Sequence, residues 1–186
     1  MNNRIYNNLI IFIDSGDTLV DESSEVRRTP GGVVYEAKLI PGARETLVAL
    51  KEAGYTLVLV ADGLEESFLR IYHQHDLDDI FDIRVISELV GEEKPSKSMF
   101  MTACNRLNLT PQDMNRVIMV GNNLKRDVAG ANRMGITSVL MSWSPRYCMT
   151  PSSLEEVPDY TIQEPRELLA LAETLEHQLE HHLEQS

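Results

Sequence analysis

The stretch FIDSGDTLV, Phe12 to Val20, sets two carboxylates on either side of a glycine. The apolar run Leu9–Ile13 stops at Asp14, and Ser15, Gly16, Asp17 and Thr18 follow at once. A carboxylate at a strand end, reached just before a sharp glycine turn, is a candidate nucleophile at the mouth of a sheet. The same pattern also suits an ordinary turn, in which the strand-end Asp bonds its own backbone. Near the other end of the chain, His177 and His181 stand four residues apart, with His182 beside them. That pair without a third ligand reads as a solvated helix face before it reads as a transition-metal site.

The elements around Asp14 decide between nucleophile and turn. Short, nearly all-apolar runs read as strands at Leu9–Asp14, Tyr55–Ala61, Ile83–Ser87, Val117–Gly121 and Thr137–Met141, with an edge strand at Asp159–Ile162. Such runs belong to strands covered on both faces. Between them lie helical stretches: Ala43–Ala53, stopped by Gly54; Leu64–His75; Ser96–Leu107; and Leu124–Met134, stopped by Gly135. Thr110 before Pro111 reads as an N-cap with proline at the first helical position. Alternating β and α elements predict a parallel sheet between two helix layers, a three-layer Rossmann-like α/β fold. Ligands bind outside the carboxyl ends of such strands, where Asp14, Asp62 and Asn122 all fall.

Two segments lie outside the alternation. Residues 21–41 contain the turn signal Thr29-Pro30-Gly31-Gly32 and read as a hairpin or flap. Residues 165–184 read as a terminal helix with Leu171, Leu175, Leu179 and Leu183 at four-residue steps. That stripe suits packing on the domain, with an oligomer contact as the alternative.

The 186 residues suffice for one domain, and 42% apolar with 25% charged residues are globular values. Acidic residues number 29 against 17 basic ones, a net charge of −12. This disfavours nucleic acid and anionic membranes as partners, which need clustered basic surface. It leaves room for a small anionic substrate, because one local cation outweighs a distant field. Cys104 and Cys148 have no metal-like spacing and no disulfide framework, and no signal peptide or membrane span is visible. The expectation is a cytoplasmic protein.

With FIDSGDTLV, LVLVADG, GEEKPSKSMF and VGNNLKRDVAGANRMGITSV in this order, the chain resembles a haloacid dehalogenase (HAD) superfamily phosphatase from about Leu9 to Met141. The resemblance implies an Mg²⁺-dependent phosphohydrolase acting on a small phosphate monoester. Asp14 matches the nucleophile that forms an aspartyl-phosphate. Thr18 matches the threonine closing the same loop, where its hydroxyl either braces the turn or is a plain turn hydroxyl. Lys94 matches the lysine that offsets charge on Asp14 and on a bound phosphoryl group. Mg²⁺ takes hard oxygen ligands, and the resemblance assigns Asp14, the Gly16 carbonyl, Asn122 and Asp127. Ala61, Asp62 and Gly63 fall at the segment that contacts substrate.

Three positions depart from that pattern. Gly16 stands where the family carries its acid/base aspartate, and Asp17, one step on, is the substitute in reach by sequence. Ala61 replaces a Ser or Thr, removing a hydroxyl donor, while Gly63 leaves room for backbone N–H groups to approach. Asn122 replaces an acid, so Asp127 carries more of the metal binding. The loss of an acid/base group lowers rate by about 10²–10⁴. These departures motivate an alternative: a weakened member that binds a phosphorylated ligand or a protein. A dehalogenase is a third reading, opposed by the retained Asp127 and by the absence of a lid. Neither insertion point has room for a full cap domain, so the residue 21–41 hairpin is either a plain solvated hairpin or a small flap with Arg27, Arg28 and Lys38 as anion contacts. An open site suits a bulky substrate or an oligomer in which a neighbour covers the mouth.

Overall fold

Ile10–Ile13 (β1) is buried at every position, which requires cover on both faces and flanking strands on both edges. The computed structural model, which describes residues 9–184 with side chains through His181, supplies both. The elements that follow are β2 (Val20–Arg27), β3 (Val34–Leu39), α1 (Ala43–Glu52), β4 (Thr56–Ala61), α2 (Glu65–Gln74) and β5 (Ile83–Ile86). Then come α3 (Ser87–Val90), α4 (Lys97–Arg106), β6 (Val117–Gly121), α5 (Ala129–Met134), β7 (Thr137–Met141), β8 (Tyr160–Ile162) and α6 (Glu167–Glu184). Six strands form one parallel sheet in the order β5-β4-β1-β6-β7-β8. The fold is the expected three-layer, Rossmann-like α/β sandwich.

Period-two alternation sorts β1 between the layers. Ile11 and Ile13 join a core with Leu47, Leu50, Ile71, Tyr72, Leu168 and Ala172, from α1, α2 and α6. Ile10 and Phe12 face Met99, Phe100 and Ala103 of α4 on the other side. From β1 the chain builds outward through β4 to β5, then crosses back to β6 on the other side of β1. That reversal makes β1/β6 the switch point, where the sheet leaves a crevice beyond its carboxyl ends.

Residues 21–41 contain the expected hairpin. β2 and β3 pair antiparallel, and β3 packs on α2 through Val34 N–H to Ser67 Oγ (3.0 Å) and Ala37 N–H to Gln74 Oε1 (3.1 Å). Their register slips: Asp21 faces Lys38 and Val26 faces Glu36, so β2 advances from 21 to 26 while β3 covers 36 to 38. Glu22 opens the resulting bulge. Two further elements escape a sequence reading because they are too short for periodicity: α3, and a 3-10 turn at Leu154–Glu156. The segment after Thr110 is a 3-10 helix, Pro111–Arg116, closed by a Thr110/Asp113 capping box.

α6 docks on its own sheet layer, with Leu168, Ala172 and Leu175 buried and Leu171 and Leu179 packed against the same core. The side chains of Leu183 and His182 lie outside the described residues. Among the described residues, no helix is long and apolar enough to cross a membrane. Leu175→Ala is expected to lower the unfolding free energy by about 2–5 kcal/mol, read from the urea midpoint.

Candidate active site

Asp14 follows β1 and stays tied to the sheet, its N–H donating to Val120 O at 2.9 Å. The loop after it closes tightly. The N–H groups of Thr18, Leu19 and Val20 converge on Ser15 O, and Asp17 takes a positive φ of 46°, a conformation that Asp tolerates better than most side chains. Thr18 Oγ1 is buried without a hydrogen-bond partner, so the turn is held by backbone bonds and Tyr72 Oη to Ser15 Oγ (3.0 Å) instead of the threonine hydroxyl.

Lys94 reaches this loop from the segment before α4. Its Nζ donates to Asp14 Oδ1 and to Asp127 Oδ1, each at 2.7 Å, with the lysine side chain 1% exposed. Asp127 sits in a π-helical turn, Leu124–Val128, that runs into α5. Asn123 caps that turn, accepting from the N–H groups of Lys125 and Arg126, and its own N–H donates to Asp127 Oδ2 at 3.0 Å. Gly121 makes the approach feasible: a Cβ there would lie 2.2 Å from the Asp127 carboxyl carbon.

Burial opposes every charge in this group. Desolvation pulls the Lys94 ammonium down, but Asp127, Asp14 and Asp62 outweigh it and the net shift is upward. Burial pushes the Asp127 carboxyl above the ordinary aspartate range, with Lys94 as the main opposing pull. Asp62 shifts the same way for the same two reasons.

Asp62 accepts the Lys94 backbone N–H at 2.9 Å and the Arg126 guanidinium at 3.3 Å. It therefore holds the lysine segment as well as lining the cleft. Ala61 is buried at the end of β4, and the Gly63 N–H donates to Ser87 Oγ at 2.9 Å, so that donor is spent on α3 instead of being offered to substrate. Asp17 is turned aside: Oδ1 accepts from Glu22 N–H at 3.1 Å and Oδ2 from Arg146 Nε at 2.5 Å. Arg27 is engaged by Glu25 and Gly32 O, and Arg28 stacks on Tyr35. The cations lining the cleft are Lys94 and Arg126, with Asp14, Gly16, Glu22, Asp62, Asn122, Asn123, Asp127 and Tyr147 as its other walls.

Glu22, Arg126 and Tyr147 were not singled out from sequence. Glu22 lies in a polar strand, and Tyr147 in a loop far along the chain. Arg126 alone carried a signal, its place one residue before Asp127. Burial and the neighbouring Asp17 raise the Glu22 carboxyl, with Arg146 pulling it back.

Among the described residues, no group of three or more His, Cys, Asp and Glu side chains converges as a metal site. His177 Nδ1 instead lies 3.6 Å from Glu180. Two carboxylates with an amide and a backbone carbonyl suit Mg²⁺, which keeps several waters. Asn122 fits that set: its Nδ2 is buried without a partner, and turning the amide over presents Oδ1 at the same place. Asp14, Asp127, Asn122 and the Gly16 carbonyl would hold the ion.

The family model for haloacid dehalogenase-like hydrolases matches residues 17–141. The glyceraldehyde 3-phosphate phosphatase of Methanopyrus kandleri is 34% identical over 142 residues, covering 74% of this chain and 58% of that protein. This chain thus spans a little over half the length of that curated relative. The solved structure of the magnesium-bound HAD-hydrolase YfnB from Bacillus subtilis superposes with a TM-score of 0.63 at 25% identity, over 73% of this chain and 56% of that one. A HAD phosphatase from Thermococcus onnurineus has the same fold, with a TM-score of 0.71 at 19% identity over 88% of this chain and 97% of that one.

Lys94→Met would leave Asp14, Asp62 and Asp127 facing one another without their central cation. The expected loss of stability is about 3–5 kcal/mol near pH 8. Asp62 and Asp127 have raised pKa values in the fold, so their neutral forms favour folding at low pH and a charge penalty grows as pH rises through the folded values. Lys94 offsets that penalty, and its removal is felt most at high pH. Denaturant unfolding at pH 5 should therefore show a smaller difference from wild type than at pH 8.

Proposed function

The chain belongs to the haloacid dehalogenase-like hydrolase family, and from that premise we propose that it is an Mg²⁺-dependent phosphohydrolase acting on a small phosphate monoester. The observation that carries this reading is the Lys94 ammonium, 2.7 Å from both Asp14 and Asp127 at the carboxyl ends of adjacent strands. Such a group holds one carboxylate in place as a nucleophile and opposes the charge of an incoming phosphoryl group. Relatives that are phosphatases for glyceraldehyde 3-phosphate and phosphoglycolate support the substrate class.

Asp14 attacks phosphorus in line with the ester oxygen, and the alcohol leaves. Water then attacks the aspartyl-phosphate, releasing phosphate and restoring Asp14. Lys94 orients Asp14 throughout, and Arg126 adds positive charge at the cleft wall. Bound Mg²⁺ would neutralise phosphate charge and fix its orientation. Asp14, Asp127, Asn122 and the Gly16 carbonyl would supply its oxygen donors. Asn123, through its bond to Asp127, keeps that carboxylate aimed at the cleft.

A specific set of residues favours a second reading. Gly16, Ala61 and Asn122 each lack a group that efficient turnover uses, which suits a protein that binds a phosphorylated ligand without hydrolysing it. Hydrolysis of p-nitrophenyl phosphate by wild type and Asp14→Asn, with and without Mg²⁺, separates the two. The phosphohydrolase predicts Mg²⁺-dependent turnover that falls by about 10³-fold or more in Asp14→Asn. Turnover no higher than that control, in folded protein, leaves the binding role.

A further inference from the structure

Resting on the phosphohydrolase reading, we propose that Glu22 is the general acid/base of this site, supplied by the bulge in β2 rather than by the nucleophile loop. Loss of an alcohol from phosphorus leaves an alkoxide unless a proton is delivered, and some carboxyl at the cleft must hold it. Asp14 is the nucleophile. Asp62 and Asp127 are bonded to the lysine segment and to Lys94 itself. Asp17 is buried on Arg146 and the Glu22 N–H, outside the cleft wall. Glu22 remains, and it lines the cleft.

Its placement is specific. A Cβ built on Gly16 would fall 2.0 Å from Glu22 Oε1, so the Glu22 carboxyl fills the volume that a side chain at position 16 would fill. That point stands two residues beyond the nucleophile. The other carboxyl oxygen, Oε2, lies 3.2 Å from Arg146 Nε, which also binds Asp17. Arg146 thereby fixes the glutamate from behind. The bulge is held by its own bonds: Ser23 N–H donates to Asp21 Oδ1 at 2.9 Å and Lys38 N–H to Ser24 Oγ at 2.7 Å. Bulges re-aim single side chains at the margins of active sites, and here the first residue past the paired Asp21 is the one re-aimed.

The proton balance is complete with groups already named. As the Asp14–phosphorus bond forms and the ester P–O bond breaks, Glu22 passes its proton to the leaving oxygen. In the second half, the Glu22 carboxylate takes a proton from the attacking water while the bond from Asp14 to phosphorus breaks. Phosphate leaves, and both carboxyl groups return to their starting forms.

The test compares an ester that needs a proton with one that does not. Wild type and Glu22→Gln are assayed with Mg²⁺ on p-nitrophenyl phosphate and on a panel of primary alkyl phosphates. The expected result is a fall in kcat/KM, which reads only the steps up to loss of the alcohol and not the shared hydrolysis of the aspartyl-phosphate, of about 10²–10⁴ on the alkyl esters, with less than about tenfold change on the aryl ester. Equal losses on both, no loss on either, or a wild type that hydrolyses only the aryl ester overturns the assignment. Asp14-independent or absent turnover of every ester instead defeats the phosphohydrolase reading itself. Should Glu22→Gln fold poorly, the swap Gly16→Asp with Glu22→Ala decides. Recovery of alkyl ester turnover over Glu22→Ala alone supports the role, and no recovery overturns it.

Discussion

One buried ammonium organises the carboxyl end of this sheet. Lys94 Nζ touches Asp14 and Asp127 at 2.7 Å each, and its backbone N–H holds Asp62. Each contact joins a different strand: β1 through Asp14, β6 through the turn after it, β4 through Asp62. At such distances a charge pair in a partly polar interior interacts with an energy of several kcal/mol, about 4 at 4 Å for an effective dielectric of 20. The attractions to Lys94 thus oppose carboxylate repulsions of comparable size. The parallel sheet makes the arrangement feasible, because the neighbouring ends of β4, β1 and β6 open on one crevice at the switch point.

Two glycines show how the cleft is filled. At Gly121 a Cβ would collide with the Asp127 carboxyl, and at Gly16 with the Glu22 carboxyl. In both places the missing side chain is occupied by an acid from another segment. For Gly121 the partner lies in the next turn, and for Gly16 it lies across the loop on a bulged strand. These contacts tie the identity of each glycine to a particular carboxylate, so neither position is a generic flexible turn.

The sheet, its strand-end polar residues and the docking of α6 were legible in the sequence. Apolar runs such as Leu9–Ile13 have few alternatives once amphipathic helices separate them, and Asp14, Asp62 and Asn122 at the strand ends mark a crevice. What remained hidden shares one physical cause: contacts whose partners lie far apart in the chain leave no local pattern. Arg146 meets Asp17 across 129 positions, and the bulge that turns Glu22 inward depends on pairing with β3. The fate of the Gly63 N–H was hidden similarly, since its acceptor Ser87 belongs to a helix of four residues. Local reading left residues 21–41 as a hairpin or a flap, and the hairpin is present, but a turn signal says nothing of the hydrogen bonds that tie β3 to α2.

The balance of charge in the cleft constrains its ligand. Asp14, Glu22, Asp62 and Asp127 are four acids, opposed by Lys94 and Arg126. With all six ionised the walls carry two excess negative charges, which repel a phosphate monoester. Burial works against this excess by raising the carboxyls of Glu22, Asp62 and Asp127. On the proposed reading a divalent cation would cancel that excess, while the amide at Asn122 avoids adding a fifth acid. Ala61 offers no hydroxyl and the Gly63 N–H is spent on Ser87, so on the proposed reading the attraction for a phosphoryl group would rest on Lys94, Arg126 and the cation. On the proposed reading, a cleft walled this way would select its ligand by charge more than by shape.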